Sequence, residues 1–284
     1  MELCIKKKDS AIHKDYLKEI KNLLDSGYSI TDTHSHIHFN NFNEDLEEAI
    51  KRALDFGVKR LITVGINKDD IIKASKIAHS YNNIYFAAAY HPTEISEFRE
   101  DDTFFNEIFN DKKCIAIGET GLDYYRDTTN INVQKKYFDY FLHQAKKHNK
   151  PIIIHCRSAS NDLIDIAANF IKKNNQIKGV LHCFNGDKKL LEFGIKNNLY
   201  FSFAGNVTFT KSSELRSAIS KIPLSRIILE TDCPFLSPMP YRGKRNEPVN
   251  IIYTLYTVHK VINKPLDSCL RIFEENVERL FFNQ

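Results

Sequence analysis

Long apolar runs are missing from this 284-residue chain. None approaches the ~20 consecutive apolar residues that a membrane-spanning helix requires, so a helical membrane protein is excluded. The opening Met-Glu-Leu-Cys-Ile-Lys-Lys-Lys has no long apolar core beside its charges, so no secretory leader is expected. Cysteine is scarce and scattered, with six residues and no Cys-x-x-Cys pair. Cys114, Cys156, Cys183 and Cys233 sit in or beside apolar runs, as buried reduced thiols of a cytoplasmic protein do, rather than in a disulfide framework. Charge of a single sign is lacking too. Lys and Arg total 40 against 36 Asp and Glu, a net +4, which excludes a histone-like polyelectrolyte but permits a basic rim around a cleft. There is no low-complexity segment and no repeat beyond a strand–helix unit.

What is present is an ordinary globular composition, 42% hydrophobic and 27% charged, with enough apolar side chain for a sizeable core. The length suits one large domain. Residues 1–28 stand apart as an N-terminal extension. Ile12, Tyr16, Ile20, Leu23 and Leu24 fall near helical spacing with lysines between them, and Gly27 follows as a stop. From residue 29 to 284 the pattern alternates. Strand-like runs at Ser29–Asp32, Arg60–Val64, Ile84–Ala89, Cys114–Gly118, Pro151–His155, Gly179–His182, Leu199–Phe203 and Ile227–Thr231 are each followed by a helical stretch. The clearest helix is 130–149, where Val133, Tyr137, Phe141 and Ala145 step by four. Eight such units predict an α/β fold, a (β/α)8 TIM barrel. A doubly wound open sheet would want a Gly-rich phosphate loop after an early strand, and here the first strand opens into histidines instead.

Those histidines organise the functional reading. In Asp32-Thr33-His34-Ser35-His36 the alternate residues share one face of an extended chain, so two imidazoles can close on one metal ion while the carboxylate orients a ring. Four later strand-like runs end in another ligand type: Glu119, His155, His182 and Asp232. A closed barrel brings all strand ends to one face, so four histidines and two carboxylates converge. Six ligands exceed what one catalytic ion with an open position takes, and suit two divalent ions bridged by a carboxylate. Two such ions against two carboxylates leave a positive site that favours an anionic substrate such as a phosphodiester. Imidazole-rich ligation favours zinc or manganese, and phosphate oxygens can bring in magnesium.

The motifs DTHSH at 32–36, GETGLDYYR at 118–126, PIIIHCR at 151–157, GVLHCFNG at 179–186 and ILETDCPFLSPMPYRGKRNEP at 228–248 resemble the TatD family of metal-dependent deoxyribonucleases, in the amidohydrolase superfamily of TIM barrels. The resemblance covers about residues 30–280. It implies His34, His36, Glu119, His155, His182 and Asp232 as metal ligands, with Glu119 the bridge. By the same resemblance Asp232 doubles as the base that orients the attacking water, and Asp32 supports the ligands from behind. Three features depart from the family pattern: the N-terminal extension, His38 where an acidic residue is common, and His91-Pro92-Thr93 where His-Pro-His is frequent.

Around this centre, Arg242 and Arg245 lie in a Pro-bounded loop after the eighth run and are candidate phosphate contacts. Arg157, two residues past His155, is another, and His91 is a further candidate at the rim. Tyr124 and Tyr125 could stack an unpaired base or wall the mouth. The expected activity is phosphodiester hydrolysis by a two-metal-activated water, as a TatD-type exonuclease on single-stranded DNA ends, with no membrane and no protein partner. The alternative is hydrolysis of another ester or an amide on the same metal site. Glu119 lowers it, because the superfamily's dinuclear amidase and phosphotriesterase branches bridge with a carbamylated lysine there.

Overall fold

A computed structural model of the protein describes residues 9–95 and 102–283. The expectations resting on Met1–Lys8, on Cys4 and on the side chain of Ile12 lie outside the described residues. Eight strands form one parallel sheet in sequential order: β1 (Ile30–Ser35), β2 (Val58–Gly65), β3 (Ile84–Ala88), β4 (Cys114–Asp123), β5 (Ile152–Arg157), β6 (Gly179–Leu181), β7 (Tyr200–Phe203) and β8 (Ile227–Leu229). The sheet curls until β8 meets β1. There Thr33 Oγ1 donates to the Leu229 carbonyl (2.8 Å) and Asp232 N to the His34 carbonyl (2.9 Å). The expected TIM barrel is the fold found.

Around it run α2 (Leu46–Phe56), α3 (Lys68–Ser80), α4 (Asp102–Asn110), α5 (Ile131–Lys147), α6 (Ser160–Asn174), α7 (Lys188–Lys196), α8 (Ser213–Ile219), α9 (Ile251–Ile262) and α10 (Leu266–Val277). Local chemistry starts and stops them. Asn67 and Asp187 accept the Asp70 and Leu190 amides to open α3 and α7. Gly57, at φ +114°, closes α2 in a left-handed conformation. Two apolar layers result. Ile62, Val64, Ala87, Ala116, Ile153, Val180 and Ile228 fill the barrel interior, and the other strand faces pack on the helices. A π-helical turn, Glu278–Phe282, folds under the barrel so that buried Leu280 and Phe281 form its floor.

The helix expected in the extension is α1 (Asp9–Asp25), which buries Tyr16, Ile20 and Leu24 against the same core; the Tyr16 ring lies 4.4 Å from Tyr256 of α9. Two sequence expectations need correction. The stripe on α5 is rotated: Gln134, Phe138, Phe141, Leu142 and Ala145 are buried, Tyr137 is half-buried, and Val133 is exposed. Gln134 takes the inner position because its amide satisfies β4: its Oε1 accepts from Asp123 N (2.9 Å) and its Nε2 donates to the Asp123 carbonyl (3.3 Å). Polar satisfaction outweighed apolar periodicity there. Second, β4 does not stop at Gly118 but runs on to Asp123, so Glu119 lies inside the strand. The five described cysteines are free; Cys114, Cys233 and Cys269 are buried, whereas Cys156 and Cys183 are only partly so. Among the described residues no helix is long and apolar enough to cross a membrane.

Candidate metal centre

The strand ends bring the expected residues together at the C-terminal mouth of the barrel. Glu119 owes its place to an irregularity. The β4–β5 register shifts between Ile117 and Thr120, leaving Gly118 and Glu119 out of step with the ladder. Gly121, at φ +147°, allows the strand to resume: a Cβ there would lie 2.0 Å from the His155 carbonyl oxygen. Asp232 adopts φ +57°, a left-handed conformation that aspartate tolerates, and its amide is held by the His34 carbonyl.

The donor atoms gather around one carboxylate, with His34 close to His36 and Asp232 on one side and to Glu119 and His182 on the other. His34 Nε2 and His36 Nε2 face each other at 3.3 Å. Glu119 Oε2 lies 3.4 and 3.9 Å from these two nitrogens, and Asp232 Oδ1 lies 3.7 and 3.5 Å from them. The other oxygen of Glu119, Oε1, faces His155 Nδ1 (2.6 Å) and His182 Nε2 (3.1 Å). A divalent ion with arms of about 2.0–2.1 Å in tetrahedral array sets its ligand atoms about 3.4 Å apart. The spacing in the first set is close to that. Two buried ring nitrogens 3.3 Å apart, with carboxylate oxygens beyond hydrogen-bond optimum around them, are a donor set for a cation. The residues present fit the divalent ions that the chemistry implies.

Titration follows the same crowding. Burial, then neighbouring His182, push His34 below the usual imidazole range. Burial also works against charge on His182, but Glu230 and Glu119 outweigh it and raise its pKa well above that range. Burial opposes ionisation of Glu119, yet His182, His91 and the His155 hydrogen bond hold its pKa well below the carboxylate range. Protons and cations compete for these rings, so metal binding here releases protons.

Asp32 does not orient a ring, contrary to the expectation from spacing. Its oxygens accept the Thr231 amide (2.8 Å) and hydroxyl (2.6 Å), tying β1 to the end of β8, and burial pushes its pKa up to about 8. His91 is buried beside the cluster, with Nε2 3.6 Å from Glu119 Oε1. Its Nδ1 accepts the Thr93 amide (3.1 Å), so Nε2 carries the proton and the ring is a donor rather than a ligand. Burial lowers its pKa to about 3, so it stays neutral. His38, the other departure, turns Nδ1 to Thr63 Oγ1 (2.9 Å), and its Nε2 has no partner among the described residues.

The rim residues divide. Arg245 is claimed by Asp45 (2.5 and 2.7 Å) and Glu247 (2.8 Å), so two carboxylates neutralise it and the phosphate contact expected of it is withdrawn. Arg242 is exposed over the Phe209 ring and Arg157 lies over Tyr125, neither with a carboxylate partner among the described residues. Tyr124 donates its hydroxyl to Asp162 (2.7 Å) and belongs to the wall, whereas Tyr125 is the exposed ring. Asp123 and Glu230 went unnoticed in the sequence. Both are fully buried carboxylates behind His155 and His182, and the one signal was an ionisable residue inside an apolar strand run.

A barrel of this topology with a buried histidine–carboxylate cluster at its mouth defines a metal-dependent hydrolase of the amidohydrolase fold. A family model described as TatD related DNase matches residues 31–282. Over 251 residues the chain is 36% identical to YabD of Bacillus subtilis, an uncharacterized metal-dependent hydrolase, covering 88% of this chain and 98% of that one. The crystal structure of YjjV, a TatD homologue from Escherichia coli, superposes with a TM-score of 0.81 at 25% identity, covering 89% of this chain and 97% of that one. The fold alone extends to an uncharacterized amidohydrolase from Saccharomyces cerevisiae, TM-score 0.74 at 19% identity, covering 89% and 100%. The chain belongs to the TatD family.

Proposed function

We propose that this hydrolase is a two-metal phosphodiesterase of the TatD type, a deoxyribonuclease that trims single-stranded ends. The observation that carries the reading is the division of Glu119: one oxygen faces His34 and His36, the other His155 and His182, as a carboxylate shared by two cations requires. His34, His36, Asp232 and Glu119 would hold one ion, and Glu119, His155 and His182 the other. Zinc or manganese suits the imidazole-rich set. When bound, such ions supply the charge that polarises a phosphodiester and acidifies a water.

The chain's own groups do the rest. Asp232 is the most open carboxylate of the ligand set, with its side chain 15% exposed against 5% for Glu119, so it can meet a solvent water and orient it. His91 offers an N–H toward the same space and can donate to a phosphoryl oxygen. Arg242 and Arg157 have guanidinium groups free to neutralise flanking phosphates, and Tyr125 presents a face on which a base can stack. A barrel-mouth pocket admits a strand terminus better than continuous duplex, which supports the exonuclease mode. A cytoplasmic setting belongs to the same reading and is supported by the unpaired thiols of the five described cysteines.

The test is hydrolysis of a 3′-labelled single-stranded oligonucleotide by the metal-loaded protein, run beside ester and amide panels. Stepwise shortening of the oligonucleotide supports the reading. Turnover of an amide or carboxylic ester with an intact oligonucleotide transfers the chain to the other hydrolase class.

A further inference from the structure

The two histidine sets differ in what stands behind the rings. His155 has a carboxylate on each nitrogen: Nδ1 meets Glu119 Oε1, and Nε2 meets Asp123 Oδ2 at 3.1 Å. His182 turns the opposite way, with Nε2 toward Glu119 and Nδ1 3.0 Å from Glu230 Oε1, a charge contact that is out of line for a hydrogen bond. In the other set, His36 Nδ1 lies 2.8 Å from the Val64 carbonyl, and His34 Nδ1 has no partner among the described residues. One set is backed by two buried carboxylates, the other by a single neutral carbonyl.

Neither buried carboxylate can readily do anything else. Asp123 is fully buried, and its Oδ1 accepts the Tyr125 (3.0 Å) and Arg126 (2.8 Å) amides, which leaves Oδ2 for His155. His91, Asp123 and His155 lie close enough to suggest a third metal cluster. But His91 keeps its proton on Nε2, so the trio is a hydrogen-bonded support rather than a ligand set. Glu230 Oε1 accepts the Cys183 amide (2.7 Å), so the turn after His182 fixes this carboxylate with its charge beside the ring.

We propose that Asp123 and Glu230 are positioning residues that dictate which nitrogen His155 and His182 offer to a cation, and that they control one of the two metal positions and not the other. The proposal rests on the two-ion reading above. Asp123, by its hydrogen bond, keeps the proton of His155 on Nε2, so Nδ1 presents its lone pair; the Glu230 charge 3.0 Å from His182 Nδ1 favours the proton there, so Nε2 presents its own. At the metal position served by His34 and His36, neither carboxylate touches a ring nitrogen.

The two residues make opposite demands on their amide replacements. In Asp123→Asn the side-chain oxygen must stay on the two backbone amides, which forces the NH2 group onto His155 Nε2. That donor pushes the ring proton to Nδ1, the atom meant for metal. Asp123→Ala merely leaves the ring unguided. Asparagine is therefore worse than alanine at 123. At 230 the order reverses, because Glu230→Gln keeps Oε1 on the Cys183 amide and so keeps a partial negative charge beside His182 Nδ1, whereas Glu230→Ala loses both.

The full-length chain loaded with Zn2+ is titrated with a chromophoric chelator, and melting curves of each variant confirm folding. The wild type is expected to release two equivalents. In Asp123→Asn and Glu230→Ala one equivalent is weakened about 10- to 100-fold and the other holds at the wild-type value. Asp123→Ala and Glu230→Gln fall between wild type and those extremes. Affinities unchanged across the series, in a wild type that takes two ions, overturn the proposal alone. So does Asp123→Ala binding more weakly than Asp123→Asn, which would reduce Asp123 to a brace for the turn. A wild type that takes one ion overturns the two-ion reading and the division of labour with it.

Discussion

The two ends of this barrel treat buried polar groups in opposite ways. At the floor, Arg60 is buried and pairs with Glu274 and with Glu278 (2.8 Å), donates to Thr31 Oγ1 (3.3 Å), and lies over the Phe282 ring. Nearby, Lys113 Nζ donates to the carbonyls of Tyr81, Asn82 and Ile84 at 2.8 to 3.0 Å. Every cation there has its acceptors, and the result is a closed base. At the mouth, nitrogens face nitrogens and carboxylates gather around them, with His34 Nδ1, His38 Nε2 and His182 Nδ1 left without hydrogen-bond partners among the described residues. The floor's polar groups are arranged to satisfy one another; the mouth's are arranged to receive something. Function sits where the protein's own polar accounting is left open.

The comparison breaks most visibly at Glu119. Glu119→Gln preserves shape and removes the charge shared by the two histidine sets, so hydrolysis should fall by at least about a hundredfold, beyond what outer-sphere substitutions cause. The metal-stripped variant should melt lower than the stripped wild type, because His155 and His182 lose the carboxylate charge they hold ionised. Activity and elemental analysis beside thermal melts check this. A two-ion variant with normal turnover would take the bridge away from Glu119.

Arg60→Ala is the mirror image at the floor. It leaves Glu274, a part-buried carboxylate, with the Thr31 hydroxyl in place of its guanidinium and should cost about 1.5–3 kcal/mol in urea unfolding, while turnover per folded molecule stays at the wild-type value. Loss of turnover at full stability would mean that the floor is not a separate region.

Chelation joins the two ends. Ions that bind only the folded chain, at a hundred times their dissociation constant, stabilise it by about 2.7 kcal/mol, so stripping them should lower Tm by roughly 5–10 °C. A Tm indifferent to chelator would mean that the mouth holds no cation of consequence.

Arg242→Ala should give the smallest change. The side chain is exposed, so its contact is worth about 1 kcal/mol or less, a fall of up to about fivefold in kcat/KM. The salt dependence of oligonucleotide binding should flatten by about 0.7 in log–log slope. A kcat/KM series across salt measures both, and identical curves for the two proteins would return this loop to solvent.

Much of this was legible in the chain. Eight apolar runs alternating with helical stretches are a local property, because strand and helix periods are set within a few residues. Ligand-type residues were conspicuous because histidines and acids at the ends of apolar runs are costly unless used. Val133 misled because periodicity ignores what the neighbouring strand needs, and Gln134 was needed there. Asp123 and Glu230 were invisible as partners because nothing within a few residues of either points to His155 or His182.

The sequence by itself determined the alternation, the barrel it builds, the ligand types and the strand ends that carry them, since each follows from side-chain period and from the cost of burying charge. Only the tertiary structure decided who meets whom. Arg245 is neutralised by Asp45, 200 positions away in the chain, and the Tyr124 hydroxyl donates to Asp162. What stands behind His155, His182 and His36 was decided in the same way, by Asp123, Glu230 and the Val64 carbonyl. Hydrogen bonds and ion pairs act over about 3 Å, and distances on that scale between remote residues exist only once the barrel has closed.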